Sequence, residues 1–541
     1  MSASAHPPVA SKRRLRVLPR TAWPPHFAHP ALSETQLFLI LALLIGIFSG
    51  LLVVLFHISI DLISWSSLGP LSGQFRMTRL LTPTVGAILA VLIVRHVFPR
   101  AKGSGVNQTK AAIYTSNGYV SSSTIAGKFT ACALSIGGGN SLGPEDPSLQ
   151  MGAGVASWLG RMFHLPRNSM RLIAPVGAAA GIAAAFNTPI SGVLFVMEEV
   201  LADWSATAVG SIVLAAVSSV VTMRIFLGSE PLFRVPTFQF TNYSELVIYA
   251  GVGVAGGAVS ALFIWLIERL KKHIHHLGPW RHYVLPPLAG LLTGVVGLWF
   301  PQIMGAGYDA LNSALHGQFT WQLLLFIGVA KLFATLIAFS ADTPGGMFAP
   351  ALFIGGMLGG GLGGIAHRWW PYGSANAEAY MLVGMGVFFA GVFRTPITAI
   401  FMVFESSASY MIILPAMVAS TASYLISRRL HPTPFFKMLA EMEGVNLPTA
   451  EEKRSFQMLH VEDAMRPLPA PEEVRAGLRL YPDEPLDAAL RILAQQPRIQ
   501  IVSRLRPDEV LGILTLEDVH HAYHIMETHG VQTGPPNEQA R

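Results

Sequence analysis

The stretch at residues 139–155 reads GNSLGPEDPSLQMGAGV and lies between two long apolar segments. It sets two acids, Glu145 and Asp146, between prolines, and Pro147 suits the first turn of a helix because it lacks the amide proton that goes unpaired there. A helix that begins inside a membrane directs its unpaired N–H groups and the positive end of its dipole toward one point. We therefore expect an anion site here, with a carboxylate beside it that competes for the site. The alternative is a tight interhelical turn that carries a surface acid pair.

Apolar residues dominate the composition of the chain. Of its 541 residues, 51% are hydrophobic and only 13% are charged, whereas soluble globular proteins carry roughly 25% charged residues. The composition therefore predicts an integral membrane protein with polar ends. The only cysteine, Cys132, lies in an apolar run and excludes an intrachain disulfide.

The charges at the ends of the apolar region predict how the chain is oriented. Residues 1–34 are basic and proline-rich and lack the apolar core of a signal peptide, so the positive-inside rule places this tail in the cytoplasm. Arg428 and Arg429 follow the last apolar segment and place that end in the cytoplasm as well. The net charge of +6 is explained by these membrane flanks and requires no nucleic-acid partner.

The second half of the apolar region repeats the first. Residues of the first half recur in the second half at nearly constant spacing, and three sets of matches have offsets of 207, 203 and 202 positions. The pairs are Gly177 with Gly384, Phe186 with Phe393, Pro189 with Pro396 and Glu198 with Glu405; then Lys128 with Lys331, Pro147 with Pro350 and Gly152 with Gly355; then Gly103 with Gly305. We interpret residues 35–227 and 245–435 as two copies of one unit, joined by a connector at 228–244.

Two copies with both chain ends on one side of the membrane predict an inverted repeat. Equal halves that each cross an odd number of times run in opposite directions, and such repeats place broken helices at the midplane with their termini on a substrate site. Glu145 corresponds to Phe348 in the second copy, so one helix N-terminus from each half is expected to converge on the site. The expected fold is an all-α polytopic membrane protein with a small cytoplasmic α/β tail.

The tail after the apolar region has the composition of a soluble domain. We expect a linker at 436–460, a compact α/β unit at 461–525 and a polar C-terminal tail at 526–541. A helix predicted at 486–495 carries an apolar stripe that a domain of this size buries poorly alone, which predicts contact with a second copy of the tail. The alternative is that the stripe packs only on the predicted strand at 499–502. The stripe comprises Leu486, Ala489, Leu490 and Leu493.

These motifs resemble the CLC family of chloride channels and transporters, and the resemblance runs from about residue 35 to 440. It is carried by Gly103-Ser104-Gly105, by Gly143-Pro144-Glu145-Asp146-Pro147, by Gly346-Met347-Phe348-Ala349-Pro350, and by the helix that contains Phe186-Asn187-Thr188-Pro189 and ends at Glu198-Glu199. Residues 461–525 resemble a single cystathionine-β-synthase-type (CBS) motif. The resemblance implies a CLC-type fold and a transporter rather than an enzyme.

The resemblance also implies roles for particular residues. Ser104 would donate its hydroxyl to a central chloride, which the backbone amides of Met347 and Phe348 would also hold. Glu145 would be the external gate, whose carboxylate occupies an anion site until it is protonated, and Glu199 would transfer protons from the cytoplasm. The implied activity is chloride/proton antiport, by a homodimer with one pore per subunit in the lipid of the plasma (inner) membrane.

In the tail, Thr515 and Asp518 stand where CBS motifs bind a nucleotide, so an adenine nucleotide is the one cofactor that the resemblance suggests. No cofactor is expected to be required. The histidines at 273, 275 and 276 lie in a lysine-rich loop and are interpreted as solvated rather than metal-binding.

Four positions depart from the family pattern. Pro144 replaces a basic residue, Asp146 replaces glycine, Asn107 replaces proline, and Phe436 stands where a tyrosine usually donates to the central anion. The extra acid at 146 is expected to favour the protonated form of Glu145 by like-charge repulsion, and the missing hydroxyl at 436 predicts weak chloride binding.

Several alternatives remain at this stage. A passive voltage- or pH-gated chloride channel is the runner-up, although the acid at Glu199 argues against it. A cation-coupled carrier for organic substrates also fits the inverted repeat, and a third reading is a degenerate member that barely conducts. Among individual residues, Ser104 could merely cap a helix. Glu198 is expected to face water, whereas Glu405 is expected to make a polar contact within the scaffold.

Overall fold

The computed structural model describes residues 34–69, 77–202, 206–233, 235, 243–370, 375–445, 447, 459–467, 479–493, 496–504, 506 and 509–529. Predictions for residues 1–33 and 530–541, and for most of the linker at 436–460 beyond residue 445, lie outside these ranges.

Eight α-helices make up the first half of the apolar region. They are α1 (Glu34–Leu68), α2 (Thr78–Leu92), α3 (Gly105–Thr115), α4 (Ser122–Gly137), α5 (Glu145–Met162), α6 (Arg167–Phe186), α7 (Pro189–Phe195) and α8 (Ala206–Leu227). Two of them pass into π-helical turns, α2 at Ile93–Val97 and α7 at Val196–Leu201.

The second half contains the same succession of helices. They are α9 (Glu245–His275), α10 (Arg281–Trp299), α11 (Tyr308–Leu315), α12 (Trp321–Ser340), α13 (Phe348–Trp369), α14 (Ala377–Phe393), α15 (Pro396–Ser407) and α16 (Ile413–Leu430). A further helix, α17 (Phe435–Met442), follows directly. In the part of the chain that the structure describes, nine helical segments are long and apolar enough to cross a membrane.

Equivalent glycines make the same close packing in the two halves. A Cβ atom added at Gly152 on α5 would lie 2.1 Å from the carbonyl oxygen of Gly177 on α6, and one at Gly355 on α13 would lie 2.3 Å from that of Gly384 on α14. Only glycine lets two helix backbones approach so closely in a membrane. The duplication read from the sequence is therefore also a duplication of packing.

The helix breaks recur at equivalent positions as well. Asn187 ends α6 and Arg394 ends α14, both in the left-handed conformation, with φ of 58° and 61°. In each half a threonine and a proline follow and start the next helix, because proline fits the first helical turn. These breaks produce the short helices α7 and α15 inside the helical bundle.

The tail is a small α/β unit. It contains α18 (Val461–Ala464), β1 (Arg466–Pro467), β2 (Arg479–Leu480), α19 (Leu486–Leu493), β3 (Arg498–Val502), β4 (Val510–Thr515) and α20 (Leu516–His529). The sheet order is β1-β4-β3-β2, in which β4 pairs antiparallel with β1 and β3, and β2 pairs parallel with β3.

The apolar stripe of α19 packs mainly on its own sheet. Leu486, Ala489 and Leu493 are buried in one cluster with the strand residues Ile499 and Leu514. Leu490, the fourth member of the stripe, is 38% exposed. The premise that the tail could not bury this stripe alone is therefore wrong for three of its four residues, because the strands on both sides of α19 cover them.

Candidate anion site

The two motif loops meet through their backbones. The amide of Gly143 donates to the carbonyl of Gly346, and the amide of Gly346 donates back to the carbonyl of Gly143, both at 2.8 Å. This reciprocal pair sets the start of α5 against the start of α13, as the inverted repeat predicts. It fixes the position of the two acids that follow Pro144.

Glu145 is completely buried at the N-terminus of α13. Its Oε2 accepts a hydrogen bond of 3.2 Å from the amide of Ala349, and its Oε1 accepts one from the hydroxyl of Tyr308. The amide that holds the carboxylate thus lies next to the pair expected from the sequence, Met347 and Phe348, which are buried at the same helix start. Glu145 occupies the kind of site that an anion would take at a helix terminus.

Asp146 points to a different helix. Its carboxylate accepts hydrogen bonds from the Ser104 hydroxyl (3.1 Å) and from the amides of Gly105 (2.8 Å) and Val106 (2.9 Å). A Cβ atom at Gly105 would lie 2.1 Å from the Asp146 carbonyl oxygen, so glycine is needed for this approach. The Ser104 hydroxyl that was expected to hold chloride is therefore engaged by a carboxylate of the protein.

Neighbouring acids are thus divided between the two halves of the molecule. Glu145 binds donors of the second half, Tyr308 and Ala349, whereas Asp146 binds donors of the first half, at the start of α3. Tyr308 was not among the residues predicted from the sequence. It lies 202 positions after Val106, so the repeat relationship relates it to an amide donor of Asp146.

Aromatic side chains surround the start of α13. The Phe348 ring lies 5.0 Å from that of Phe195 and 4.8 Å from that of Phe393, measured between ring centroids. Phe436 stacks on Phe393 at 5.5 Å, and its carbonyl accepts a hydrogen bond of 2.9 Å from Asn107 Nδ2. Phe436 therefore contributes an apolar wall and no hydroxyl.

Two buried lysines hold the glycine loops that begin α3 and α11. Lys128 Nζ donates to the carbonyl of Gly103 at 2.5 Å, and Lys331 Nζ donates to the carbonyl of Gly305 at 2.6 Å. Both lysines matched in the sequence repeat, but only the structure reveals this shared task. Their amino groups lie beside the loops that present the donors of the site.

Glu199 forms a buried ion pair. Its Oε1 lies 2.7 Å from Lys110 Nζ on α3. Glu199 lies in the π-helical turn at the end of α7, a kind of distortion that is frequent at functional sites. It is therefore not an acid at a helix end facing water, and Lys110 is a partner that the sequence did not indicate.

Glu198 is also buried, and the expectation that it faces water is wrong. Its Oε2 accepts hydrogen bonds from the amide (2.9 Å) and hydroxyl (2.8 Å) of Thr398, in the first turn of α15. Glu405 does the same for α7, where its carboxylate accepts from the amides of Ile190 (2.9 Å) and Ser191 (2.7 Å). Each half thus caps a helix of the other, so Glu405 makes the scaffold contact expected of it.

A cavity of about 630 Å³ leads to Ser104. Two acids, Asp342 and Glu443, also line it, and burial raises the pKa of the Glu443 carboxyl, although Lys271 and Lys128 act in the opposite direction. We call this space the basic cavity because six lysine and arginine side chains line it. They are Arg95, Lys102, Lys128, Lys271, Lys272 and Arg281.

A second cavity of about 640 Å³ lies beside the start of α11. Its lining includes Glu230 and two residues that follow Tyr308 in α11, Asp309 and Asn312. No lysine or arginine is among its described lining residues. His57, from the last part of α1, also borders it.

The remaining predicted site residues lie in the tail. Thr515 and Asp518 form a capping box at the start of α20, because Asp518 Oδ2 accepts from the Thr515 amide (3.0 Å) and the Asp518 amide donates to Thr515 Oγ1 (3.4 Å). The Thr515 hydroxyl also donates to Asp518 Oδ2 (2.6 Å). Arg466 also contacts the Asp518 carboxylate. Within the described residues, no group of three or more His, Cys, Asp or Glu side chains is arranged to hold a metal ion.

Comparison with known proteins identifies the family. The family model described as "Voltage gated chloride channel" matches residues 86–428. The chain belongs to this family. Its CLC-type resemblance, read from four short motifs, is thereby confirmed over both repeats.

Named relatives align with most of this chain and with most of their own length. The putative chloride channel protein ClcB-like of Ralstonia nicotianae is 30% identical over 72% of this chain and 92% of that protein. The H(+)/Cl(−) exchange transporter ClcA of Cronobacter sakazakii is 30% identical over 74% of this chain and 88% of that protein.

Solved CLC structures share the fold. A slow cyanobacterial Cl−/H+ antiporter matches with a TM-score of 0.71 at 23% identity, over 76% of this chain and 99% of that one. A eukaryotic CLC transporter matches with a TM-score of 0.66 at 18% identity and covers 91% of this chain and 90% of that one. The all-α inverted-repeat architecture with a small α/β tail is therefore established.

Proposed function

We propose that this CLC protein exchanges chloride for protons across a membrane, with Glu145 as the gate. The observation that carries the proposal is the Glu145 carboxylate at the N-terminus of α13, on the amide of Ala349 and the hydroxyl of Tyr308. A carboxylate seated on donors suited to an anion competes with a permeating anion for them. Protonation removes its charge and releases the site, which couples the two ions.

The charge distribution supports an anion as the transported ion. The basic cavity favours anions beside Ser104, because its six lysine and arginine side chains outnumber its two acids and an excess of positive charge raises the local concentration of anions. We assign both termini to the cytoplasm because the N-terminal tail is basic and proline-rich and because Arg428 and Arg429 follow the last apolar segment. The basic cavity would then face the cytoplasm, in the plasma (inner) membrane.

Proton delivery is assigned to Glu199. Its carboxylate is buried in the turn after α7 and paired with Lys110, whereas Glu145 and Asp146 bind other donors. An ionisable group inside a membrane protein is costly and marks an ion or proton path. We assign protons to this route and chloride to the route past Ser104.

A passive chloride channel is the second candidate, and the pair of Lys110 with Glu199 is the observation that favours it. A lysine 2.7 Å away stabilises the ionised carboxylate, which hinders proton uptake. If the pair never opens, anions pass without counter-transported protons. Flux measurements separate the two candidates directly.

The assembly and the tail extend the proposal. We propose a homodimer with one pore per subunit in lipid, and we keep an adenine nucleotide at Thr515 and Asp518 as a prediction. The capping box competes with that prediction, since both side chains already bind each other.

The test is flux in proteoliposomes with chloride and pH recorded together. The wild type is expected to move protons against a chloride gradient. Glu145→Gln is expected to retain chloride flux without proton movement, and Glu199→Gln is expected to do the same. Glu405→Gln, which alters a capping acid outside the site, serves as the control and is expected to remain coupled. Chloride flux without protons in the wild type would establish the channel, and absence of any anion flux in the wild type and in Glu145→Gln would refute anion transport.

A further inference from the structure

Asp146 occupies the position that the proposed function gives to the central chloride. Its carboxylate accepts from one hydroxyl and two backbone amides at the start of α3, at distances of 2.8–3.1 Å. Its side chain is almost completely buried, at 4% exposure for the residue. These three donors form an anion site, and the protein's own carboxylate fills it.

We propose that Asp146 is a second gate, which must leave the start of α3 before an anion can bind there. This inference rests on the proposed function, because it concerns the same anion route. Glu145 and Asp146 close two successive sites on this route, one at α13 and one at α3. Chloride that enters from the basic cavity meets the Asp146 gate first, since Ser104 lines that cavity.

Protonation is the event that opens this gate. A neutral carboxylic acid no longer competes electrostatically with chloride for the Ser104 hydroxyl and the two amides. Gln150 lies four positions later on α5, on the same helix face. Its Oε1 is buried and has no hydrogen-bond partner among the described residues, so it is available to accept the proton of a neutral Asp146 that has turned away.

Charged groups surround the Asp146 carboxylate. Glu145 precedes it on α5 and interacts with it electrostatically, and Lys128 on α4 donates to the Gly103 carbonyl beside Ser104. No titratable side chain lies in the loop at 345–348 that starts α13. The other titratable groups near the start of α3 include Lys110 on α3 itself, Cys132 on α4, and Glu443, which lies beside Gly103.

Capping alone is the competing explanation, and the chain contains a matched control for it. Glu405 accepts from two amides, those of Ile190 and Ser191, and from the Ser191 hydroxyl, which is the same donor set that Asp146 uses. Glu405 lies on α15, contacts the start of α7, and is not among the residues that line the basic cavity. If Asp146 is only a helix cap, substituting it is expected to affect chloride binding no more than substituting Glu405 does.

The first experiment measures chloride binding to purified full-length protein at neutral pH by calorimetry, with bromide in crystals to locate the ion. Asp146→Asn and Asp146→Gly are expected to bind chloride at least about tenfold more tightly than the wild type, with bromide at the start of α3. Glu405→Gln is expected to bind like the wild type. Wild-type affinity in both Asp146 variants, with folding verified by thermal unfolding, would overturn the inference.

The second experiment measures chloride flux against pH in the Glu145→Gln background. Flux is expected to rise as the pH on the side of the basic cavity falls, and adding Asp146→Asn is expected to remove most of that rise. A rise of equal size in the double variant would overturn the inference. The two proposals can be refuted separately. Tighter chloride binding in Asp146→Asn without chloride flux in Glu145→Gln would refute chloride transport alone. Chloride flux in Glu145→Gln without tighter chloride binding in Asp146→Asn would refute the second gate alone.

Discussion

Lys110 Nζ lies 2.7 Å from Glu199 Oε1, and the two side chains are only 5% and 10% exposed. A buried ion pair contributes little net stability, because desolvation of both charges offsets their attraction. Removing one partner is costly, however, since it leaves a buried charge unpaired. The pair therefore makes the state of Glu199 depend on a residue of α3, the helix whose start is held by Asp146.

Lys110→Met is expected to lower the stability of the protein by about 3–5 kcal/mol, because the buried Glu199 carboxylate loses the cation that lies 2.7 Å from it. Lys110→Met combined with Glu199→Met is expected to regain most of that loss. Thermal unfolding in detergent measures both. Lys272→Met is the control, since Lys272 is 63% exposed in its pair with Glu268, and its loss is expected to cost roughly 0.5 kcal/mol. Equal losses in Lys110→Met and the double variant would show that the pair is not coupled.

Tyr308→Phe is expected to weaken the closed position of Glu145, because the carboxylate loses its only hydroxyl donor among the described residues. A hydrogen bond to a charged group contributes about 1.5–3 kcal/mol, so chloride flux at neutral pH is expected to rise about tenfold or more. Proteoliposome flux measures the change. Tyr249→Phe is the control, because its buried hydroxyl has no partner among the described residues. A rise of the same size in Tyr249→Phe would contradict a specific role for Tyr308.

Glu443→Gln is expected to increase chloride flux at neutral pH by removing a negative charge from the basic cavity. Burial raises the pKa of the Glu443 carboxyl, so in the wild type this charge is lost at a higher pH than for an ordinary glutamate. The wild type is therefore expected to gain flux as the pH in this cavity falls, and the variant is expected to lose that part of the gain. Glu441→Gln is the control, because Glu441 lies on α17 but is not among the residues that line the basic cavity. Identical pH profiles for Glu443→Gln and wild type would exclude this contribution.

Phe436→Tyr adds a hydroxyl to the aromatic wall of the site. Because Asp146 fills the start of α3 in the wild type, the hydroxyl is expected to tighten chloride binding only in the Asp146→Asn background, by about ten- to a hundredfold. Calorimetry in both backgrounds measures this, with Phe435→Tyr as the control on the same helix. Equal tightening in both backgrounds would mean that Asp146 does not exclude chloride. No tightening in either, with the hydroxyl ordered, would mean that position 436 does not face the anion.

The architecture and the position of Glu145 were predictable because they follow from patterns along the chain. Apolar runs, proline at helix starts and a near-constant repeat offset are local or periodic signals, and together they located the meeting of two helix starts. The αL breaks at Asn187 and Arg394 follow the same logic, since each precedes a Thr-Pro pair.

The partners of the acids were not predictable, because they are chosen by tertiary approach. Asp146 and Ser104 are 42 positions apart, Glu199 and Lys110 are 89 apart, and Glu145 and Tyr308 are 163 apart. An acid next to an anion site can either lie beside the bound anion or occupy the anion's position itself, and the amino-acid sequence does not distinguish the two cases. The repeat offset could have indicated Tyr308, since it places that residue opposite Val106.

The exchange of caps between Glu198 and Glu405 has a consequence for the origin of the fold. The first half alone would lack the carboxylate that caps α7, and the second half alone would lack the carboxylate that caps α15, because each cap comes from the other half. Two copies of one half satisfy both needs at once, as in an isologous dimer, where residue i of one subunit meets residue j of the other and the reverse. The interior of the present chain thus contains the kind of reciprocal contact that an isologous subunit interface makes. Because the halves are inverted, a free-standing ancestor could have formed that interface only by inserting into the membrane in both orientations.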